Sequence, residues 1–236
     1  MPGRRAHRRR PRPAGRGGAP EPVVRQDEPV ITTVVDHPLA AQALAALRDE
    51  ATTRAAFRAA MDDLAGILVY EATRSLRTEV VNVRTPLAAT TGLRVAEPPL
   101  AVPVLRAGLG LLSGLLRLLP EAPTGFIGVA RNEDTLVPEP YMSSVPADLD
   151  GRDVLVLDPM LATGGSLTHA CALLHDRHPG RLTCVCVLAA PEGVARLADS
   201  GLADELVLAA IDDHLDERAY IVPGLGDAGD RLYGTA

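Results

Sequence analysis

The chain alternates between short, wholly apolar runs and longer stretches in which apolar residues recur every three or four positions. Each apolar run is short enough to be a strand buried on both faces. The runs occupy residues 100–105, 125–130, 153–158, 183–190 and 205–210. The stretches with helical spacing between them occupy residues 109–119, 165–177 and 192–199. This alternation predicts an α/β fold in which helices cover both faces of a parallel sheet.

The pattern differs outside this alternating region. Helical spacing predicts two amphipathic helices over residues 39–60 and 62–76. Residues 132–147 hold three prolines among mixed polar residues, which predicts an extended arm or hairpin. Residues 1–29 are rich in Arg, Pro and Gly and show no periodicity, so a disordered extension is expected ahead of one domain at residues 30–236.

Composition and charge narrow the classes of function. The 236 residues are 47% hydrophobic with no Trp and two Phe, which predicts one large domain with an aliphatic core. Every one of the 24 cationic residues is Arg, which excludes Schiff-base lysines and the P-loop lysine. Of the net charge of −6, residues 1–29 carry about +5, so the remainder carries about −11. Nucleic acid is therefore an unlikely partner for the acidic domain.

Cysteine usage and hydropathy predict the compartment. Three cysteines at residues 171, 184 and 186 form no even framework, which favours a reducing environment. No apolar stretch reaches the roughly 18 residues that a membrane span needs. The N-terminal arginines precede no apolar segment of the kind that secretion signals have. The expectation is a cytoplasmic protein without membrane association.

The segment DVLVLDPMLATGGSLT, residues 153–168, carries the clearest chemical signal. Asp158 ends an apolar strand, and Thr163–Ser166 lead into a predicted helix. Unpaired N–H groups at a helix N-terminus bind anions, and two glycines let the backbone wrap closely around them. The interpretation is a monophosphate site, with Asp158 as a partner for sugar hydroxyls. An ordinary strand–turn–helix connection with Ser166 as N-cap is the alternative.

Two further glycine-rich turns follow predicted strands. Residues 106–110, RAGLG, form the first, and residues 224–229, GLGDAG, match G-x-G-x-x-G. A dinucleotide site needs a crossover helix after that motif, and only seven residues follow Gly229. The second turn is therefore interpreted as backbone that approaches a planar ligand closely.

His and Cys residues offer a weaker signal. His169, Cys171, His175 and His178 share one predicted helix, but solvated or packed side chains are favoured over a metal site. Cys184 and Cys186 alternate on a strand, which places them on one face as small buried hydrophobes.

The segment DPMLATGGS resembles the loop that binds 5-phospho-α-D-ribose 1-diphosphate (PRPP) in uracil phosphoribosyltransferases. These enzymes have Asp-Pro at its start, as at Asp158-Pro159. PVLRAGLGLLSGLLRLLP, ARNEDTLVPEPY, AAPEGV and YIVPGLGDAGDRLYGT resemble further segments of this family, in the family's order. The resemblance extends from His37 to the C-terminus. It implies the type I phosphoribosyltransferase fold and a pyrimidine-salvage reaction in which uracil and PRPP give UMP and diphosphate.

The resemblance also implies roles for individual residues. It assigns catalysis to Arg106, Asp158 and Asp227, with Arg106 and Arg131 on the diphosphate. It implies PRPP contacts from Arg106, Arg131, Asp158, Pro159, Met160, Leu161, Ala162, Thr163, Gly164, Gly165, Ser166 and Asp227. It implies uracil contacts within loop 220–230 from Ile221, Gly226, Asp227 and Ala228.

Cofactor and partners follow from the same resemblance. Mg²⁺ is expected mainly on PRPP and water, with Asp227 as the candidate protein ligand. GTP is a candidate effector, and the N-terminal helices and projecting arm suggest a homodimer or a larger homo-oligomer. Two alternatives stay open: a phosphoribosyltransferase for another base, and a PRPP- or nucleotide-sensing regulator whose basic tail binds RNA.

Overall fold

A computed structural model describes residues 29–131 and 138–234, and one sheet dominates them. The strands are β1 Ile31–Val34, β2 Thr78–Arg84, β3 Ala89–Val95, β4 Leu100–Leu105, β5 Ile127–Arg131, β6 Pro138–Ser143, β7 Val154–Leu157, β8 Met160–Leu161, β9 Leu182–Ala189, β10 Glu205–Ile211, β11 His214–Leu215 and β12 Ile221–Val222. The helices are α1 Pro38–Arg48, α2 Arg54–Ala72, α3 Leu109–Leu118, α4 Gly165–His175, α5 Pro191–Ser200 and α6 Ala228–Tyr233.

The sheet is mostly parallel, as the continuous apolar runs predict. Across the described residues its order is β1-β10-β9-β7-β4-β5-β6, with β8 paired to β9. All neighbours in that order are parallel except β5 and β6, which are antiparallel. Parallel strands are covered on both faces by the helices that connect them. The predicted α/β class is confirmed.

Helices cover both faces of this sheet. Along β9 the side chains of Val185 and Val187 join one hydrophobic cluster, which includes apolar residues of α1, α2 and α3. Cys184 and Cys186 alternate with them and join the other cluster, against α4 and α5. This period of two divides the core between the faces and confirms that the two cysteines are buried on one face.

The division of the N-terminal helices differs from the prediction. The break lies at residues 49–53 rather than at residue 61, because local hydrogen bonds end one helix and begin the next. The Asp49 carboxylate accepts from the backbone N–H of Ala51, and the Thr53 hydroxyl accepts from the N–H of Ala56 as an N-cap.

An antiparallel hairpin of β2 and β3 was not predicted. Both strands are largely exposed, so they lack the one-sided burial that gives a strand its sequence pattern. Val80 and Leu93 face each other across the hairpin and are 68% and 70% exposed. Strand β1, at the opposite edge of the sheet from β6, was also not predicted.

The arm predicted at residues 132–147 falls partly outside the described residues. Residues 138–143 are strand β6, which pairs with β5 at the edge of the sheet. Of the helices in the described part of the chain, none has both the length and the apolar composition needed to cross a membrane.

Truncation of Phe57 tests the packing of α2 beneath the sheet. Phe57 is fully buried, and the Arg231 guanidinium lies 4.3 Å from its ring centroid. We expect Phe57→Ala to lower the free energy of unfolding by about 3–5 kcal/mol, because it leaves a cavity and removes the cation–π contact. Urea unfolding measures the change. Tyr70→Ala, on the exposed side of the same helix, is the control and should cost no more than about 0.5 kcal/mol; equal losses would contradict the assigned packing.

Candidate active site

A cavity of about 170 Å³ lies at the carboxyl edge of the sheet, where β4 and β7 end side by side. Ligands of open α/β sheets bind at this edge. The cavity is lined by Val104, Leu105, Arg106, Ala107, Val129, Asp158, Met160, Leu161, Ala162, Thr163, Gly164, Gly165, Ser166 and Leu167. The structure thus brings together the residues predicted in the turn after β4 and in the loop after β7. Pro159 is not among them, because its carbonyl accepts from the N–H groups of Val187 and Leu188 in the sheet.

The loop after β7 opens directly into the N-terminus of α4. Gly164 has a φ of +75° and is the N-cap, without a side-chain capping hydrogen bond. Ser166 is therefore the second residue of the helix, and the alternative that made it the N-cap is wrong. The Thr163 hydroxyl accepts only a long hydrogen bond, 3.4 Å, from the N–H of Gly165. First-turn N–H groups with no side-chain cap can bind an anion in the cavity.

The turn after β4 lies against the end of β7. A Cβ at Gly108 would approach the carbonyl oxygens of Leu157 and Val104 to 2.3 and 2.6 Å, so only glycine allows this contact. The contact places Arg106 in the wall of the same cavity as Asp158, which directly follows β7. The Arg106 side chain is 58% exposed and lies 3.9 Å from the Asp230 carboxylate. A mostly exposed guanidinium at a cavity wall can reach a phosphate ligand.

Asp158 is the carboxylate of the cavity. Burial raises its pKa to about 7, and a long hydrogen bond of 3.4 Å from the Met160 N–H opposes that rise. The carboxyl group of the unliganded site therefore titrates near neutral pH instead of near pH 4. Hydroxyl donors from a bound sugar would satisfy the charged form and lower the pKa again.

The predicted uracil residues lie in the C-terminal loop and at the start of α6. Ile221 and Ala228 are buried, whereas Gly226, with a φ of +77°, and Asp227 are exposed. The Asp227 carboxylate caps α6 by accepting from the N–H of Asp230 at 2.8 Å. None of these four residues lines the cavity, although Asp230 links α6 to Arg106. Their contact with a base remains a prediction.

The G-x-G-x-x-G motif has the context expected from the sequence. The two-residue strand β12 precedes it, and the six-residue helix α6 begins inside it, at Ala228. Strand β12 pairs antiparallel with β11 and lies outside the main sheet. The parallel crossover of a dinucleotide site is not formed here.

Arg131 is the second predicted diphosphate contact. It ends β5, but its side chain lies outside the described residues, as do residues 132–137. Its role remains a prediction. The described walls enclose less than the roughly 300 Å³ of a typical small-molecule site, so they hold only part of a ligand as large as PRPP.

In the part of the chain that the structure describes, no group of three or more His, Cys, Asp or Glu side chains is placed to hold a metal ion. The helix α4 carries His169, whose Nε2 is buried without a hydrogen-bond partner there, and Cys171, whose Sγ lies 3.5 Å from that of Cys184. Two separate carboxylates could bind Mg²⁺ through their oxygens: Asp158 in the cavity and Asp227 at the start of α6. Mg²⁺ commonly binds through one or two carboxylates together with substrate phosphates, and these residues fit that use.

An ion pair that was not predicted from the sequence lies beside the C-terminal loop. Arg48, the last residue of α1, binds the Asp212 carboxylate and the Gly224 carbonyl. The two side chains are 164 positions apart in the sequence. No local pattern could have joined them; the only available signal was an acidic residue directly after the apolar strand β10.

Comparison with known proteins gives a consistent family. The sequence model described as "Uracil phosphoribosyltransferase" matches residues 34–235. A uracil phosphoribosyltransferase from Corynebacterium diphtheriae is 55% identical over 201 residues, covering 85% of this chain and 95% of that protein. One from Nocardioides sp. is 53% identical over 208 residues, covering 86% and 98%.

Structural comparison agrees with this match. The solved structure of the AQ2163 protein from Aquifex aeolicus superposes with a TM-score of 0.83 at 37% identity. The superposition covers 87% of this chain and 99% of that one. On the family match and on these relatives, the chain belongs to the uracil phosphoribosyltransferase family.

Proposed function

We propose that the chain transfers the phosphoribosyl group of PRPP to uracil, giving UMP and diphosphate. One observation carries the proposal. The uncapped N-terminus of α4, the Asp158 carboxylate and Arg106 line one cavity, in a chain 55% identical to a uracil phosphoribosyltransferase. These groups match the phosphate, ribose and diphosphate of PRPP respectively.

The phosphate and the ribose occupy the loop after β7. The 5′-phosphate binds the backbone N–H groups of Gly164, Gly165 and Ser166, where the helix dipole adds a positive potential. The Asp158 carboxylate accepts hydrogen bonds from the ribose hydroxyls. These contacts fix C1′ at the carboxyl edge of the sheet before the base arrives.

The diphosphate binds at the turn after β4. Departure of the diphosphate leaves positive charge at C1′, so the rate depends on stabilising the leaving group and on holding uracil in line. Arg106 offers forked donors to the phosphate oxygens, and Arg131 is proposed as a second donor. Because Arg106 also lies near Asp230, the diphosphate competes with that carboxylate for the guanidinium.

Magnesium is the proposed cofactor. When bound to PRPP, Mg²⁺ neutralises charge on the diphosphate. Asp158 and Asp227 present the carboxylates that would hold it, directly or through water.

Uracil is proposed to bind the C-terminal loop. The backbone of Ile221, Gly226 and Ala228 offers N–H and C=O groups that can pair with the edge of the base, and Asp227 can reach the ribose hydroxyls or the metal. Backbone groups discriminate between bases only when the loop is held rigidly.

A sensing role for PRPP or nucleotides is the second candidate. It would need RNA binding by the Arg-rich extension at residues 1–29, of which residues 1–28 lie outside the described residues, and an acidic domain opposes that binding. The GTP effector remains a prediction that the geometry of the site does not test. A cytoplasmic location is proposed from three free, buried cysteines.

Asp158→Asn tests the reaction and the site together. UMP formation is measured with uracil, PRPP and Mg²⁺, with cytosine, adenine and hypoxanthine as rival bases. We expect turnover of uracil alone, and a fall in kcat of about 100-fold or more in Asp158→Asn, because the neutral amide accepts ribose hydroxyls less well.

Asp199→Asn is the matched control, since Asp199 is an exposed acid on α5, and it should leave the rate unchanged. Turnover of another base instead of uracil would favour a different phosphoribosyltransferase. No turnover of any base, with PRPP binding retained, would favour the sensing role.

The same substitution should stabilise the unliganded protein. Because burial raises the pKa of Asp158 from 3.8 to about 7, the folded chain holds a proton that the unfolded chain loses between about pH 4 and pH 7. The stability that Asp158 contributes therefore falls as the pH rises through that window. We expect Asp158→Asn to match the wild type at about pH 4 and to be more stable by about 1–4 kcal/mol above pH 7. Urea unfolding at both pH values measures this, and a constant difference between the variants would contradict it.

We further propose that the chain assembles into a homodimer or a larger homo-oligomer. The β2–β3 hairpin supports this, because Val80 and Leu93 form an exposed apolar pair on strands with little packing of their own. A second copy of the chain would bury this pair.

Charge on the hairpin tests this assembly. We expect Val80→Asp and Leu93→Asp to lower the mass in solution toward that of one chain, because a buried unpaired carboxylate opposes association. Sedimentation measures the mass. Leu87→Asp, at the 97% exposed hairpin tip, is the matched control and should leave the mass unchanged. A wild type that sediments as one chain would contradict the proposal.

A further inference from the structure

The ion pair between Arg48 and Asp212 connects α1 to the end of β10. The two N–O distances are 2.8 and 2.5 Å, so both terminal nitrogens of the guanidinium donate to the carboxylate, one to each oxygen. The Asp212 side chain is 4% exposed and that of Arg48 is 27% exposed. Although burial works to raise the pKa of Asp212, the hydrogen bonds from Arg48 and from the Gly224 N–H hold it below its usual range. The pair is thus charged and bidentate, with a buried carboxylate and a half-buried guanidinium.

The same pair holds both polar groups of one loop residue. Asp212 accepts from the backbone N–H of Gly224 at 2.8 Å, and Arg48 donates to the Gly224 carbonyl at 2.9 Å. Gly224 has a φ of +64°, and it follows Pro223 within the loop proposed to read the base. The ion pair therefore fixes the peptide groups on both sides of Gly224, three residues after Ile221 and two before Gly226.

A second arginine braces the loop against the same helix end. Arg231 donates to the carbonyl oxygens of Leu47 and Asp49, at the C-terminus of α1, and to that of Leu225 at 2.9 Å. Cations are favoured beside the unpaired carbonyls of a helix C-terminus. Loop and helix end are thus joined on two successive residues of the loop, Gly224 and Leu225.

We propose that Arg48 and Asp212 are positioning residues for the base. They hold residues 221–226 in the conformation in which the backbone accepts uracil, without touching the base themselves. The inference rests on the proposed function, in which backbone groups of this loop bind uracil. If the loop shifts, no side chain can adjust its conformation to restore those contacts. A loop loosened by loss of the pair loses affinity for the base and keeps its affinity for PRPP, whose phosphate loop lies on another segment.

If the ion pair only stabilised the fold and did not position the loop, a different result would be expected. A double variant distinguishes these two roles. Arg48→Met leaves a buried, unpaired carboxylate and lowers stability. Arg48→Met/Asp212→Leu removes both charges with side chains of similar shape, a change that commonly restores or raises stability. Neither Met nor Leu can hold the N–H and the carbonyl of Gly224. If the ion pair only stabilises the fold, the double variant should regain the wild-type KM for uracil. If the pair positions the loop, the KM for uracil should stay raised in the double variant.

The experiment measures kcat, the KM for uracil, the KM for PRPP and the melting temperature. In Arg48→Met and in the double variant we expect the KM for uracil to rise about tenfold or more, with the KM for PRPP changed by less than about twofold. The melting temperature should fall in the single variant and recover in part in the double variant, because the unpaired charge is gone but the N–H and carbonyl of Gly224 still lack their partners. Arg48→Lys, which keeps the charge but not the fork, should give an intermediate KM for uracil.

The matched control is an ion pair at the other end of the same strand. Arg181 and Glu205 lie 2.9 Å apart, with side chains 34% and 14% exposed. Glu205 begins β10 and Asp212 follows its end, a separation of roughly 23 Å at about 3.3 Å per residue. Arg181→Met should lower the melting temperature and leave both KM values unchanged.

Each outcome decides between the hypotheses. A double variant that regains the wild-type KM for uracil would overturn the inference, as would parallel rises in both KM values or an equal uracil effect from Arg181→Met. In those cases the wild type still makes UMP, so the proposed function stands. A wild type that makes no UMP would refute the proposed function, and the inference with it.

Discussion

The site is arranged around a half-buried carboxylate at the end of a fully buried strand. Asp158 follows β7, whose four residues are all buried, and its pKa is raised to about 7 by that burial. A carboxyl group in this position is costly when charged unless donors reach it. Within the described residues the Asp158 side chain accepts one long hydrogen bond, from the Met160 N–H, so the ribose hydroxyls proposed to bind there would add donors. Under the proposed function, affinity for the ribose would therefore come from a group that lowers the stability of the free protein.

The loop after β7 keeps its conformation despite this cost, because residues in both hydrophobic clusters hold it in place. Leu161 is buried in the cluster beneath α4 and α5, whereas Met160 and Ala162 pack against the cluster on the opposite face. Strand β8 also pairs with β9. The loop is therefore fixed at both faces of the sheet, which is the preorganisation that the proposed recognition of a phosphate by backbone groups requires.

The central strands and the helices between them were predictable, because continuous apolar runs and helical spacing are local signals. Strand β4 and helix α3 match the prediction to within one residue. The break between α1 and α2 was misplaced, since apolar spacing continues through Phe57 and the break depends on the caps at Asp49 and Thr53. The β2–β3 hairpin was missed because neither strand has a buried face in one chain.

Part of the candidate site was also predictable from local sequence, and part was not. The loop after β7 could be located from its sequence, because a phosphate site needs a strand end, glycines and a helix start in succession. The hydrogen bonds that hold the C-terminal loop could not be predicted from the sequence, because they join residues that only the fold brings together. Arg48 and Arg231 attach that loop to the end of α1 from opposite ends of the described chain. Helix α1 adds no residue to the cavity. Under the proposed function it would still contribute to base recognition, because a loop that binds its ligand through backbone groups is only as selective as the element that holds it in place.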